Sequence, residues 1–132
     1  MPKRNNEEHR LQCAIVNYLR MNNFFVFAIP NGGNRDARTG KMLKDEGALA
    51  GAADLLLMMH GRIIYIEVKT GKGTQQTSQA NFQAAAEWYG HEYLIWRSVD
   101  DAISFVRDHA DANRLNWCGY IAKNGQDLTN QK

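Results

Sequence analysis

Asp54-Leu55-Leu56-Leu57-Met58-Met59-His60-Gly61-Arg62-Ile63-Ile64-Tyr65-Ile66-Glu67-Val68-Lys69 is the stretch from which the architecture follows. Two apolar runs flank His60-Gly61, and a two-residue, glycine-containing loop between such runs predicts an antiparallel β-hairpin. With that loop Met59 pairs with Arg62, and stepping outward brings Asp54 directly opposite Glu67, their Cβ atoms roughly 5 Å apart. Like charges so placed repel unless something positive lies between them. Lys69 falls on the face of Glu67 because strand side chains alternate. Any even-length loop preserves this arrangement; a bulge or a three-residue loop would turn Asp54 to the other face. Two carboxylates and an ammonium on one face have the make-up of a divalent-metal site served by a catalytic lysine. The competing reading puts Glu67 and Lys69 on the solvated face of an edge strand, with Asp54 as a turn residue. The run 55–59 argues against it. Apolar on both faces, it suits a strand covered on both sides, so its neighbour is interior too and charges there need partners.

Upstream of the hairpin, Asn5 or Asn6 caps a helix running to about Met21, with Glu7 and Glu8 in its first turn. Leu11, Ala14, Ile15, Tyr18 and Leu19 form its apolar stripe. Residues 24–29 read as a strand stopped by Pro30 and the turn cluster Asn31-Gly32-Gly33. The polar and basic segment from about 35 to 50 holds a short helix around 42–46. Downstream, a loop rich in Gly, Thr and Gln covers 70–78, a helix spans 79–89 and closes at Gly90, and 93–96 form a strand. A last amphipathic helix from 99 to about 110 carries Ala102, Ile103 and Val106. The order predicts an α/β fold, α+β-like in its mixed central sheet, with helices on both faces. The aromatic residues Phe24, Phe25, Phe27, Trp88, Tyr89 and Trp96 are assigned to the core. Residues 6–112 form the body of one domain spanning 1–132. In the extension 113–132, Leu115, Trp117, Tyr120 and Ile121 pack and the polar end frays.

The 132 residues, 44% of them hydrophobic, suffice to bury a core without disulfides or metals as staples. A net charge of only +2 means that any nucleic-acid surface must come from local clustering of cations. Cys13 and Cys118 lie in no CxxC pattern, so neither a zinc site nor a disulfide framework is indicated, and a reducing, cytosolic compartment fits. No stretch is apolar enough to cross a membrane, and no signal peptide precedes the first helix. Gly71-Lys72-Gly73-Thr74 lacks the upstream glycine spacing of a phosphate-binding loop, so no nucleotide cofactor is expected. His9, His60, His91 and His109 show no paired metal spacing; His60 reads as a turn residue and His9 as a helix-surface residue.

Asp54 followed by Glu67-Val68-Lys69 resembles the core of the PD-(D/E)xK nucleases. With Gly47, Gly51, Ile66-Glu67-Val68-Lys69, Gln79 and Gly90 in order, the chain looks like a VRR-NUC domain, the virus-type replication-repair nuclease module. Glu8 and Gln12 match that family's helix-borne glutamate and the glutamine one turn later, and Asn31-Gly32-Gly33-Asn34-Arg35 matches its Asn-Gly turn followed by arginine. The resemblance runs from about Glu8 to Val106. Ala53 stands where the family usually has proline, and Gln76-Thr77-Ser78 replaces its usual serine-led approach to Gln79.

The resemblance implies a restriction-endonuclease-like core and a metal-dependent DNA endonuclease that hydrolyses phosphodiester bonds. It further implies selectivity for branched, Holliday-junction-like DNA over plain duplex, a homodimer, and a bacterial or phage-encoded protein acting in the host cytoplasm. Hard Mg²⁺ or Mn²⁺ prefers oxygen ligands. Asp54 and Glu67 are assigned as ligands, with the main-chain carbonyl of Val68 as a third. Glu7 and Glu8 flank the helix stripe about equally, and only the family spacing favours Glu8 as a further ligand. Lys69 orients or deprotonates the attacking water, or neutralises the charge developing on phosphate. Gln79 is counted with the catalytic residues. Arg35, Arg38, Lys41 and Lys44 before the hairpin, and Lys72 after it, are assigned to the phosphate backbone. Gln12 is assigned to DNA, with a hydrogen-bonding role at the buried edge of its helix as the alternative. Two other readings stay open here: an inactive DNA-binding module of nuclease fold, and an interaction domain whose hairpin charges are solvated.

Overall fold

The computed structural model describes residues 6–30 and 37–114. Along it run α1 (Asn6–Met21), β1 (Phe25–Ala28), α2 (Ala37–Asp45), β2 (Leu55–Met59), β3 (Arg62–Val68), α3 (Thr77–Trp88), β4 (Glu92–Trp96) and α4 (Val99–Asp108). The four strands make one sheet in the order β1-β2-β3-β4. The first two pairings are antiparallel, and β3–β4 is parallel with α3 as its crossover. This is the mixed α/β sheet with flanking helices that the sequence predicts.

The hairpin forms in the expected register. Met59 pairs with Arg62 and Leu55 with Ile66. Gly61 supplies the positive φ of 67° that the two-residue loop needs at its second position. One step beyond the Leu55–Ile66 pair, Asp54 stands beside Glu67.

Alternation along the strands divides the sheet into two faces. Val26, Leu55, Leu57, Ile64, Ile66 and Val68 point one way and are fully buried against Ile15, Leu19, Phe24, Trp96, Ala102 and Phe105. Helices α1 and α4 pack on this side and on each other. Each such aliphatic side chain contributes about 1.5–3 kcal/mol by leaving water. Phe105 sits at the centre, edge-on to Phe24 at 5.5 Å and tilted against Trp96 at 5.7 Å. Helix α3 lies on the opposite face, where Tyr65 meets Phe82 edge-to-face at 4.9 Å. It ends with Gly90 N–H donating to the Glu87 carbonyl and His91 N–H to that of Ala86, satisfying carbonyls left over by the helix.

Several expectations need correction. Helix α2 begins at Ala37, not near 42, because its polar composition and Gly40 conceal a helix supported by a Lys41–Asp45 ion pair at 2.8 Å. Trp88 and Tyr89 are not core: they are 83% and 75% exposed at the end of α3. Phe27 and Met58 are exposed as well, because α3 lies over β4 and leaves the β1–β2 side of its face partly open. The strand β2 is therefore closed on one face only. Arg35, the turn around Asn31 and residues 115–132, with Trp117, Cys118, Tyr120 and Ile121, lie outside the described residues. Among the described residues no helix is long and apolar enough to cross a membrane.

Candidate active site

The α3-side face ends in charge. Glu67 is 3% exposed and Lys69 8% exposed, and they are the buried charged residues among those described. Strand alternation sends both toward α3, while Val68 between them points into the apolar core. Asp54, half-buried at the entrance to β2, is fixed by its Oδ2, which accepts a 2.8 Å hydrogen bond from the Val68 N–H. That bond ties the acidic residue of one strand to the backbone of the next and extends the hairpin past its last ladder pair.

Gln79, in the first turn of α3, joins the two buried charges. Its Oε1 accepts from Lys69 Nζ at 2.9 Å and from the Gln76 N–H at 2.8 Å, while its Nε2 donates to Glu67 Oε2 at 3.0 Å. The amide can point only this way, since a flip would set its NH₂ against two donors and its oxygen against a carboxylate. Lys69 Nζ and Glu67 Oε2 themselves lie 3.9 Å apart, so the glutamine holds the pair and no direct short bond does.

Gly51 allows this closeness. At φ 85° it brings the loop before Asp54 against the backbone of Ser78, and a Cβ at position 51 would overlap the Ser78 carbonyl. Asp54 and Gln79 are thereby packed into register with one another.

The electrostatics of the cluster are unbalanced. The Glu67 carboxyl is pushed up to about 8 from its ordinary 4.5. Burial is the largest cause, followed by the charge of Asp54, with Lys69 opposing; hydrogen bonding to Asp54 and the more distant charge of Glu8 add to the rise. Its Oε1 is buried and has no hydrogen-bond donor among the described residues. A shared proton or a cation between the two carboxyls would complete it.

Other predicted positions separate into near and remote. Glu8 is half-buried and its charge adds to the rise of the Glu67 carboxyl, whereas Glu7 is exposed. Among the described residues, however, no three His, Cys, Asp or Glu side chains gather as closely as a metal's ligands would. Of the influences on the Glu67 carboxyl, the charge of Glu8 is the weakest. Gln12 is half-buried one turn further along α1. Arg38, Lys41 and Lys44 are exposed on α2, with Lys41 already paired to Asp45. Lys72 is exposed in the loop after β3.

Sequence reasoning missed the tether of that loop. Arg97 Nη1 donates to the carbonyl of Gly73 at 2.8 Å and to that of Gly71 at 3.4 Å, bracketing Lys72. On the far side, Gln75 Nε2 reaches Gln83 Oε1 at 2.8 Å and the Tyr93 hydroxyl at 3.3 Å. Burial, before the charges of Glu67 and Asp54, pushes the Tyr93 phenol up. The available signal was topological: Arg97 leaves β4 at the same end at which Lys69 leaves the parallel strand β3, and ligands of parallel strands gather at such ends.

No family model matches the sequence, and no curated protein matches it either. Among solved structures the chain is similar to a "VRR_NUC domain protein", with a TM-score of 0.65 over 83% of this chain and 93% of that one, at 17% sequence identity. At that identity the likeness speaks for the backbone and not for the chemistry. The protein has a VRR-NUC-like, nuclease-type fold.

Proposed function

We propose that the protein is a metal-dependent DNA endonuclease that hydrolyses phosphodiester bonds at the Asp54–Glu67–Lys69 cluster. The observation that carries the reading is the convergence of two carboxylates and a glutamine-held ammonium on one sheet face, with Glu67 Oε1 buried and lacking a donor. Such a carboxyl is costly to leave unpaired, and a cation would repay the cost. The donor set is all oxygen, which fits Mg²⁺ or Mn²⁺ better than a soft metal.

Asp54 and Glu67 would hold the ion, with the Val68 main-chain carbonyl as a third donor and Glu8 in an outer position. When bound there, the ion lowers the pKa of a coordinated water and offsets charge on the phosphate. The Lys69 ammonium, kept in place by Gln79, orients the attacking water and faces the charge that grows on the phosphate oxygens in the transition state. Lys72, on its tethered loop, and Arg38 and Lys44 on α2 would grip the DNA backbone through contacts that carry no sequence information. The finer form of the reading, branched DNA cut by a two-fold dimer, rests on the family resemblance.

A cleavage panel of four-way junction, flap, single-stranded and linear duplex DNA with Mg²⁺ or Mn²⁺ tests it, with Lys69→Ala beside the wild type. At least one substrate is cut by the wild type, and the variant is slower by about 10²-fold or more. If every substrate survives a folded, metal-loaded protein, the nuclease reading is wrong. Molecular mass in solution and the junction arm of the panel test the finer form.

A further inference from the structure

A cleft of about 490 Å³ opens beside the cluster. Its walls include Leu43, Leu49, Ala52, Leu56, Tyr65 and Phe82, with Glu46 also among its lining residues. Its size lies within the range of small-molecule pockets.

The walls continue the candidate site step by step. Leu56 follows Asp54 by two residues on the same strand face, and Tyr65 precedes Glu67 by two, which is roughly 7 Å along a strand. Phe82 follows Gln79 by three residues, so the two lie on neighbouring turns of one side of α3. A strand of DNA with a phosphate at Asp54 and Glu67 therefore has this cleft as its immediate neighbour.

The lining says which part of a nucleotide belongs there. It is apolar and aromatic, and the Tyr65–Phe82 pair offers ring surface. A carboxylate at Glu46 repels phosphate but can accept hydrogen bonds from the exocyclic amino group of a base. The cations Arg38 and Lys44 lie on α2, the helix that supplies Leu43, where the flanking backbone would run. Leu49, 61% exposed, leaves a large apolar surface that an inserted ring would cover. A base inside a duplex has both faces covered by its stacked neighbours and cannot enter, whereas an unpaired base can.

We propose that this cleft receives one unpaired nucleobase next to the phosphate held at Asp54 and Glu67, so that the substrate class is DNA with an unpaired nucleotide at the cleaved linkage. This deepens the nuclease reading and rests on it for the position of the phosphate.

The test compares three end-labelled DNAs of one sequence by fluorescence anisotropy in EDTA: a full duplex, the duplex with one extra unpaired nucleotide, and the same DNA with that nucleotide abasic. The unpaired base tightens binding by roughly tenfold or more over the full duplex, and the abasic DNA loses the gain. Leu49→Ser, an uncharged change at an exposed position, abolishes the base-dependent gain while leaving full-duplex affinity unchanged. Phe82→Leu, shown to be folded by thermal unfolding, reduces the gain. Equal binding of the base-bearing and abasic DNAs, or equal weakening of all three by Leu49→Ser, overturns the proposal. The same DNAs are then incubated with wild type and Mg²⁺. Cleavage without base preference overturns the cleft and leaves the nuclease standing. Base-dependent binding with no cleavage by a metal-loaded protein does the reverse, and failure to bind any of the three overturns both.

Discussion

The two faces of the sheet share the same strands and have opposite characters. Toward α1 and α4, Leu55, Leu57, Ile64, Ile66 and Val68 are at 0% exposure and interlock with Phe24 and Phe105. Toward α3, their immediate chain neighbours include Asp54, Leu56, Tyr65 and Glu67, among which lie two acids and the wall of an open cleft. Period-two alternation lets one strand serve both sides, so the closed face can fund the electrostatic strain of the other without any separate scaffold.

Substitutions one residue apart should then have opposite effects. Ile66→Ala opens a void in the closed face and lowers unfolding free energy by about 3–4 kcal/mol in urea titrations. A loss well under 1 kcal/mol would mean that this side is not the structural one.

Glu67→Gln is the counterpart. The native carboxyl keeps its proton up to about pH 8, whereas the unfolded chain releases it near the ordinary 4.5. Between those values the native state binds more protons, so wild-type stability falls as pH rises through the window and levels off above it. Glu67→Gln removes that component of the slope. At pH 9 it should be more stable than wild type by on the order of 2 kcal/mol, and under the proposed metal site any rise in wild-type stability with added Mg²⁺ should be absent from it. Parallel pH–stability curves for the two proteins would show that the carboxyl is not held in its neutral form.

The smallest effect is expected furthest from the acids. Arg97→Ala releases the carbonyls of Gly71 and Gly73 and frees Lys72 to wander. It should weaken duplex binding by about two- to fivefold at low salt, with little change in melting temperature. Unchanged affinity would make the tether merely local.

What the sequence made legible was whatever depends on near neighbours in the chain. The His60-Gly61 loop sets parity, parity sets Asp54 against Glu67, and the observed Leu55–Ile66 pairing is that register. Gln79 could be placed near the site, but its grip on both charges depends on an approach of α3 to the β2 entrance that is set by tertiary packing. The angular position of Glu7 and Glu8 was symmetric about the stripe, and only the docking of α1 on the sheet breaks that symmetry. Trp88 and Tyr89 read as core because aromatic rings on a helix usually are; they stand exposed at the end of α3, where no neighbouring element among the described residues covers them. Arg97 carried only the topological signal of its strand end, with no side-chain motif, since its partners are main-chain oxygens.

Gly51 carries a practical lesson for anyone who would transplant this cleft. Because its bare backbone nests against Ser78, the turn leading to Asp54 and the opening residues of α3 behave as one interlocked part. A chimera that borrows either segment alone would inherit a misfitting joint, so the smallest portable cassette begins ahead of Gly51 and runs beyond Gln79.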